Sequence, residues 1–431
     1  MIKKWAVMMM LLNFWVMQIH AQYAPYFHQQ GYLPATWVNP AIPLKNTVNI
    51  SLASVSANIS TDGLAINDLT GKNAAGSRYI DLKKINTVKD GRHDLYFDND
   101  IRTVDASIRL GSFAIMAGHA FRSSANIGYS TDLIQLLANG NGPYIGKTLD
   151  IGPSADVLAY NELYAGAQKQ FGAFSVGAKA KLLFGTSALY TESSKMLFTT
   201  QDEYYQLHFD NHYLLRSSSL LRYRSLEDVS VEYSGFTFDN LFYNNRGLAF
   251  DLGFHYQVTE KLALSASLLD FGSIKWDFFP RKYESKGTFT FEGVDIIHFI
   301  QDSTLSVKDT LLDLIEVNAS TEVFKTALNN RIMLGGSYVM NTWSFEALYQ
   351  MHRRYGKSWH QMTLAAYKRI LFLDVGLSYT LHRNDFSSLG LYAGIRLKPV
   401  QLYISADNVF SVFSYERAKN ASIAAGLTIR L

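Results

Sequence analysis

Cysteine is absent from the 431 residues of this chain, and no long hydrophobic run follows the first 21 residues. Without cysteine there is no disulfide framework, thiolate metal site, cysteine nucleophile or lipidated N-terminal cysteine. A membrane-spanning helix needs about 20 apolar residues, and no later stretch approaches that length. Proline is scarce, at 8 residues, and the mean hydropathy of -0.03 resembles that of a soluble protein. These features exclude a bundle of membrane helices and a disulfide-stabilised domain.

Catalytic and cofactor motifs are also missing. The formal net charge is only +3 and no basic patch is evident, so we expect no nucleic-acid partner. We find no glycine-rich phosphate loop, zinc-binding histidine pair or nucleophile elbow, and we expect neither cofactor nor metal. Four of the 11 histidines fall in or beside predicted strands and have Ser, Asp or Asn nearby in sequence: His119, His255, His360 and His382. Such neighbours are expected by chance in a barrel of this composition. We therefore predict that the protein is not an enzyme.

The N-terminus has the pattern of an export signal. Lys3 and Lys4 precede an apolar run over residues 5–17, which only Asn13 interrupts. Ala21 could end the segment before cleavage, which gives a signal peptide over residues 1–21. The alternative is a single N-terminal anchor, but the run is short for one.

Alternation with a period of two residues dominates the rest of the chain. In residues 371–381, one face carries Leu371, Leu373, Val375, Leu377, Tyr379 and Leu381, and the other carries Phe372, Asp374, Gly376, Ser378 and Thr380. The last segment, 421–431, repeats this pattern of one apolar face and one small or polar face. Such alternation predicts strands with one face toward an apolar environment.

Two architectures give this alternation. A soluble two-sheet sandwich has wet outer faces, and a transmembrane barrel has a polar lumen. The Gly-, Ser- and Thr-rich polar face, and the contrast between very short and very long connections, favour the barrel. The 26 Tyr and 27 Phe residues also suit aromatic belts at both interfaces. We predict an all-β, antiparallel transmembrane barrel over residues 46–431, in the outer membrane of a Gram-negative bacterium.

The strand count follows from the segments. Candidate strands lie near residues 46–56, 102–110, 112–122, 158–170, 172–186, 246–258, 261–271, 283–292, 331–340, 342–351, 360–368, 370–381, 389–397, 400–408 and 420–431. This is one more than an even number, and bacterial single-chain barrels close with an even count. We therefore expect about 14 strands and regard 283–292 as loop structure.

Four insertions interrupt the strands. Residues 58–99 are polar and predict an ordered loop outside the membrane, and 195–245 mix aromatic and charged residues. Residues 132–138 and 294–317 predict short amphipathic helices. These loops could cover the barrel mouth, or they could line the way in for a ligand.

Charged residues on the polar faces are candidates for the lumen. They can pair with one another in a channel lining or in a closed interior. The predicted lumen-facing charges are Arg109, Lys179, Lys181, Asp251, Asp374 and Arg430.

The sequence resembles a family of Bacteroidota outer-membrane barrels of unknown function, allied to FadL-like fatty-acid transporters and to the outer-membrane shuttle of type IX secretion. The resemblance rests on Asn39-Pro40-Ala41, on the strand start at Val48, and on segments 160–166 and 176–182. It covers essentially the whole chain after the signal.

The resemblance implies fourteen strands and an N-terminal plug over residues 22–45, in which Asn39, Pro40 and Ala41 plug or gate the lumen. It implies two classes of function. A transport barrel would pass or bind a small molecule, which could be apolar. A sealed barrel would serve as a scaffold or accessory subunit of a secretion, gliding or assembly complex, with outer-membrane proteins as partners. Outer-membrane lipid would surround either one. No counterpart of a fatty-acid head-group site is recognisable.

Overall fold

Fourteen antiparallel strands close into one barrel in the computed structural model, which describes residues 24–72, 78–81, 84, 89–219, 221–225, 228–231, 237–291, 317–382, 388–409 and 419–431. The barrel strands are β1 Val48–Thr61, β2 Arg92–Leu110, β3 Phe113–Ser130, β4 Ser154–Phe171, β5 Phe174–Thr200, β6 Arg246–Gln257, β7 Leu262–Trp276, β8 Arg331–Met340, β9 Trp343–Arg354, β10 Lys357–Ile370, β11 Leu373–His382, β12 Ser388–Leu397, β13 Val400–Ala406 and β14 Asn420–Arg430. Each strand pairs with the next, and β14 pairs with β1. The structure confirms the predicted all-β fold and strand number.

The two ends of the barrel differ. At one end, strands are joined by residues 111–112, 172–173, 258–261, 341–342, 371–372 and 398–399. Gly111 and Gly172 have φ of 66° and 60° in these turns, a region that glycine enters without steric cost. We call this the short-turn end and the opposite one the long-loop end. Strand β1 begins, and β14 ends, at the short-turn end.

The barrel wall alternates between an apolar outward face and a polar inward face. In β11, Leu377 is 54% exposed on the outside, whereas Asp374 and Thr380 are 2% and 1% exposed on the inside. The outward apolar side chains include Phe250, Leu252, Phe254 and Tyr256 on β6. This wall follows the alternation read from the sequence.

The strands extend further toward the long-loop end than the sequence indicated. Strand β1 continues to Thr61 and β2 starts at Arg92, so both ends of the loop predicted over 58–99 are strand. Above the barrel, polar residues can occupy both faces of a strand, so the apolar period that marks a strand is lost there. Similarly, β5 continues to Thr200 into the region predicted as a mixed loop.

The sheet continues beyond the barrel rim through further strands. Leu207–Ser219 pairs with the outer part of β5 and with Arg281–Phe291, which pairs with Asn318–Ser320. The segment near 283–292, predicted to be loop structure, is therefore a strand, although it lies outside the barrel. Shorter strands near the rim are Thr70–Lys72, Arg78–Ile80, Thr148–Asp150, Leu221–Ser225, Asp228–Val231 and Phe324–Ala327.

Helices are short. They are α1 Ala24–His28, α2 Ile66–Leu69, α3 Thr131–Asn139 and α4 Phe238–Phe242, with 3-10 turns at Leu33–Trp37 and Gly142–Tyr144. Helix α3 matches the one predicted over 132–138, and the Ser130 hydroxyl caps it by accepting the N–H of Leu133 at 3.0 Å. Within the described ranges, no helix has the length and apolar character needed to cross a membrane. The signal peptide over 1–21 and the helices predicted over 294–317 fall outside the described residues, apart from residue 317.

Candidate functional site

Residues 24–44 lie inside the barrel at its short-turn end, and the more exposed residues 45–47 lead from them to β1. We call residues 24–47 the plug segment. Its α1 helix and 3-10 turn are almost wholly buried, with Leu33 at 0% and Trp37 at 3% exposure. Pro34 lies in the first turn of the 3-10 helix, where its fixed φ suits the geometry. Tyr26 packs edge-on against Trp37 and against Tyr403 of β13. The apolar core of the barrel is thus formed between the plug and the inner wall.

The Asn39-Pro40-Ala41 turn fits against β5, β6 and β7. The Asn39 amide donates to the carbonyls of Phe254 and Ala266 at 3.0 and 3.2 Å, and its oxygen accepts the N–H of Ala41 at 2.9 Å. Pro40 lies against Gly177 and Gly253, where a Cβ atom would overlap the turn. The absence of side chains at these two wall positions allows the turn to approach the backbone closely.

Two wall serines also bind the plug backbone. Ser175 donates to the carbonyl of Ala41 at 2.6 Å, and Ser267 donates to that of Val38 at 2.6 Å. Backbone carbonyls buried without a donor cost free energy, so these hydroxyls stabilise the docked plug. The polar face of the wall therefore matches the backbone of the plug.

The opposite side of the plug contacts β9, β10 and β13. The His28 ring stacks on Tyr367 with centroids 3.6 Å apart, and its Nδ1 lies 3.0 Å from the carboxylate of Glu346. Gln29 accepts a hydrogen bond from Gln401 at 3.2 Å. The plug is thus held by both halves of the wall.

Asp270 is the centre of a buried ionic network above the plug. Its carboxylate lies 2.5 Å from the Lys181 Nζ and 2.7 Å from an Arg122 Nη, and it also pairs with Arg331. Lys181 contacts Asp251 at 2.8 Å as well. Because charged groups buried in low dielectric need partners, each carboxylate depends on the cations around it.

A backbone irregularity aims Asp270 inward. The register between β6 and β7 shifts between Phe250 and Leu252, and the extra residues on β7 include Asp270, which has a φ of 60°. Its N–H donates to Asp251 at 2.8 Å. A non-glycine residue at positive φ is uncommon, and such strain clusters at functional sites. The bulge turns Asp270 into the lumen.

The network reaches both the plug and the upper lumen. Asp100 pairs with Arg102 at 3.2 Å and with Arg122 at 3.0 Å, and the Arg102 guanidinium lies 4.6 Å from the Trp37 ring. Lys179 donates to the Thr36 carbonyl at 2.7 Å. We call the following ten side chains the lumen cluster: Asp100, Asp105, Glu162, Asp251, Asp270, Arg102, Arg122, Lys179, Lys181 and Arg331. Its formal charges balance.

A cavity of about 150 Å³ lies on the long-loop side of the lumen cluster. The space is large enough for several waters or one small solute. Its lining runs from Thr61 and Lys419 near the rim to Asp270 and Arg331 at the floor. Tyr96 and Trp359 meet edge to face in its wall, with centroids 4.6 Å apart. Aromatic faces and polar groups therefore share one space.

The predicted lumen charges separate into two groups. Lys179, Lys181, Asp251 and Asp374 are 2–3% exposed inside the barrel. The other two, Arg109 and Arg430, lie at the short-turn end, where Arg430 packs over the ring of Tyr32 at 4.8 Å. Asp374 bonds Arg396 and Arg369 there and does not contact the lumen cluster.

The sequence pattern did not point to Asp270, Arg122 or Arg331 as site residues. Strict alternation from Leu262 places residue 270 on the outward face, and only the bulge brings it inside. Arg122 lies at an inward-facing position in the alternation of β3, so this alternation could have identified it.

The four histidines noted in the sequence lie on β3, β6, β10 and β11. His119 faces outward and bonds Thr103 and Asn161, and His360 bonds Tyr349. His255 is buried inside, and the side chain of His382 is outside the described part. Among the residues described, no group of three metal-ligating side chains occurs.

Residues 40–407 match a protein family described as a family of unknown function, DUF5723. The chain belongs to this family. Comparison with curated proteins finds no match.

Several solved structures are similar to this DUF5723 barrel. The Ralstonia pickettii toluene transporter TbuX is 11% identical, with a TM-score of 0.47, and the match covers 96% of this chain and 99% of that one. The Pseudomonas putida toluene transporter TodX is also 11% identical, with a TM-score of 0.40 and coverage of 91% and 92%. A Pseudomonas aeruginosa FadL homologue is 9% identical, with a TM-score of 0.40 and coverage of 92% and 93%.

Proposed function

We propose that this DUF5723 protein is an outer-membrane barrel that binds a small solute in the cavity on the long-loop side and passes it inward when the plug segment moves. The observation that carries the proposal is the stacking of three layers along one lumen. A cavity extends to the rim, a charge-balanced cluster forms its floor, and a docked plug lies beneath the cluster.

A membrane position is supported by the outward face of the wall. Large apolar side chains repeat along its strands, such as Leu252 at 47% and Phe254 at 50% exposure on β6, and Leu364 at 47% on β10. Soluble monomers rarely expose contiguous apolar surface of more than a few hundred Å². In bacterial barrels the short turns face the periplasm and the longer loops face outward, which orients the cavity toward the cell exterior.

The cavity lining favours an amphipathic solute. Tyr96, Tyr160 and Trp359 supply aromatic surface, and the amides of Asn329 and Gln361 supply donors and acceptors. Binding pockets of this kind combine apolar surface with a few polar groups that fix orientation. Since the cations at the floor already pair with carboxylates, a neutral solute suits it better than an ionic one. A purely apolar ligand would leave the polar lining unsatisfied.

Movement of the plug is the step that passage requires. Asn39 holds the turn by two hydrogen bonds to the wall, and Ser175 and Ser267 by one each, and each bond is worth about 0.5–1.5 kcal/mol net. Bonds of this size can exchange for water without unfolding the barrel. The lumen cluster would then rearrange, since Arg102 and Lys179 contact both plug and cluster.

A disulfide that fixes the plug segment to the wall tests whether the plug has to move for a solute to pass. The chain has no native cysteine, so two introduced cysteines can pair only with each other. The Ser175 hydroxyl lies 2.6 Å from the Ala41 carbonyl oxygen, so the double variant Ala41→Cys, Ser175→Cys places two thiols at neighbouring positions of the plug and β5. The purified full chain is placed in liposomes, and swelling is measured with phenyl glucoside, which is amphipathic and neutral. We expect swelling in the reduced form, loss on oxidation and recovery on reduction.

Each single-cysteine variant is the matched control and should swell under both redox conditions. Swelling that persists with the disulfide formed would contradict the gating role of the plug. The second candidate function, a sealed scaffold, is favoured by the tight docking of the plug in this state. It predicts no swelling in any form and no ligand-dependent change in tryptophan fluorescence.

A further inference from the structure

Positive charge is concentrated at the short-turn end of the barrel. The turns and strand ends there carry nine basic side chains, namely Lys45, Arg109, Lys169, Lys261, Lys368, Arg369, Arg396, Lys398 and Arg430. Among the described residues of these turns and strand ends, Glu260 and Asp374 oppose them, which leaves a formal charge of +7. The whole chain has +3, so all other residues together sum to -4. Such a field can attract an anionic partner.

Six of the nine basic residues form one arc, which follows the rim from β10 through β14 and β1 to β2. We call this set the basic arc: Lys45, Arg109, Arg369, Arg396, Lys398 and Arg430. In the part of the chain that the structure describes, its acidic neighbour is Asp374, which pairs with Arg396 and, at 3.4 Å, with Arg369. The arc therefore keeps a formal charge of +5 after Asp374 is counted.

The arginines of the arc lie at the mouth of the barrel and not on its outer surface. They occupy inward-facing positions of their strands, and Arg396 and Arg430 lie 5.0 and 4.8 Å from the ring of Tyr32 in the plug. The Nε atoms of Arg109, Arg396 and Arg430 have no hydrogen-bond partner among the described residues. These Nε atoms are buried, so an incoming carboxylate first meets the Arg369 guanidinium, which is 56% exposed, and the exposed ammonium groups of Lys45 and Lys398. Arginine binds carboxylates in a planar, paired geometry.

We propose that the basic arc binds an acidic segment of a partner protein on the short-turn side of the membrane. Its one-sided shape and its position at the mouth favour a protein segment over lipid, because lipid surrounds a barrel and does not cover its end. By contrast, Lys368 faces outward over Trp343 at 4.9 Å, as interfacial residues facing headgroups do. The proposal does not depend on solute transport, and takes from the proposed location only the side of the membrane.

Docking at this place has a consequence for the plug. The ring of Tyr32 is held between Arg396 and Arg430, and acidic side chains would compete for the same guanidinium groups. An acidic segment bound here therefore contacts the plug segment directly.

Charge reversal tests the arc. Lys45 and Lys398 are exposed members of it, and the variant Lys45→Glu, Lys398→Glu breaks no ion pair among the described residues, although the Lys45 stem packs beside Gly31. Binding of a fluorescein-labelled oligoglutamate peptide to the full chain in detergent is measured by anisotropy, with oligolysine as the negative probe. We expect oligoglutamate to bind wild type, more weakly as salt rises, and the variant to bind about tenfold more weakly, equivalent to about 1.4 kcal/mol.

The matched control is Lys169→Glu, Lys261→Glu, which makes the same change of net charge on the other side of the rim. It should change the affinity by less than about twofold. Equal loss in both variants would show a general charge effect and overturn the assigned arc, as would failure of wild type to bind oligoglutamate. A third outcome identifies lipid as the occupant instead: wild type does not bind the peptide but retains phosphatidylglycerol, and the arc variant loses it.

Discussion

Replacing Asp270 by asparagine should destabilise the barrel by about 3 kcal/mol. Removing one partner of a buried ion pair costs about 3–5 kcal/mol, because the remaining charge is left uncompensated. Arg122 keeps Asp100 and Glu162 nearby, and Lys181 keeps Asp251 at 2.8 Å, which supports the lower end of that range. The lumen cluster would change from balanced to a net positive charge in a space of low dielectric.

Asparagine also isolates the electrostatic effect. It accepts the left-handed backbone at the bulge nearly as well as aspartate does, whereas alanine does not. Asp270→Ala should therefore cost about 1 kcal/mol more than Asp270→Asn. Comparing the stability losses of the two variants separates the effect of the lost charge from that of the φ of 60° at residue 270.

Urea unfolding of the full chain in phospholipid vesicles, followed by tryptophan fluorescence, measures these free energies. Asp277→Asn is the control, since Asp277 pairs with Lys275 at 3.0 Å with both side chains about half exposed, and such pairs contribute about 0–1 kcal/mol. Equal shifts of the free energy of unfolding in Asp270→Asn and Asp277→Asn would refute a stabilising role of the Asp270 charge. A gain in stability for Asp270→Asn would show that desolvation outweighs pairing in the cluster.

Two further predictions concern the wall and the plug. Leu377→Arg should destabilise the barrel by about 2–4 kcal/mol if its strand crosses the membrane, with Leu377→Met as control, and a small loss in vesicle unfolding would contradict the membrane-facing assignment. Gly253→Ala should displace the Asn39-Pro40-Ala41 turn, because the added Cβ meets Asn39 and Pro40. A cysteine placed at residue 41 should then react faster with a thiol reagent, whereas Gly287→Ala, which meets nothing within 4 Å, should leave its rate unchanged.

The barrel part of the wall was predictable from sequence because its strands follow a strict rule. Apolar residues must face outward at every second position, as Val375 and Leu377 do, and a shift by one residue would put polar groups in that place. Above the barrel this rule does not apply. Strand Arg281–Phe291 and the outer part of β5 pair with other strands there, and their ends could not be read from alternation.

By itself, the sequence determined the class of fold, the closure of the barrel with an even number of strands, and the inward-facing positions of Lys179, Lys181 and Asp251. The tertiary structure alone decided which side chains meet. Asp270 reaches the lumen through a bulge that reverses its parity, and it joins charges from strands as distant in sequence as Arg122 and Arg331. Alternation is a local property of each strand, whereas the partners of a buried charge are set by the closure of the whole barrel.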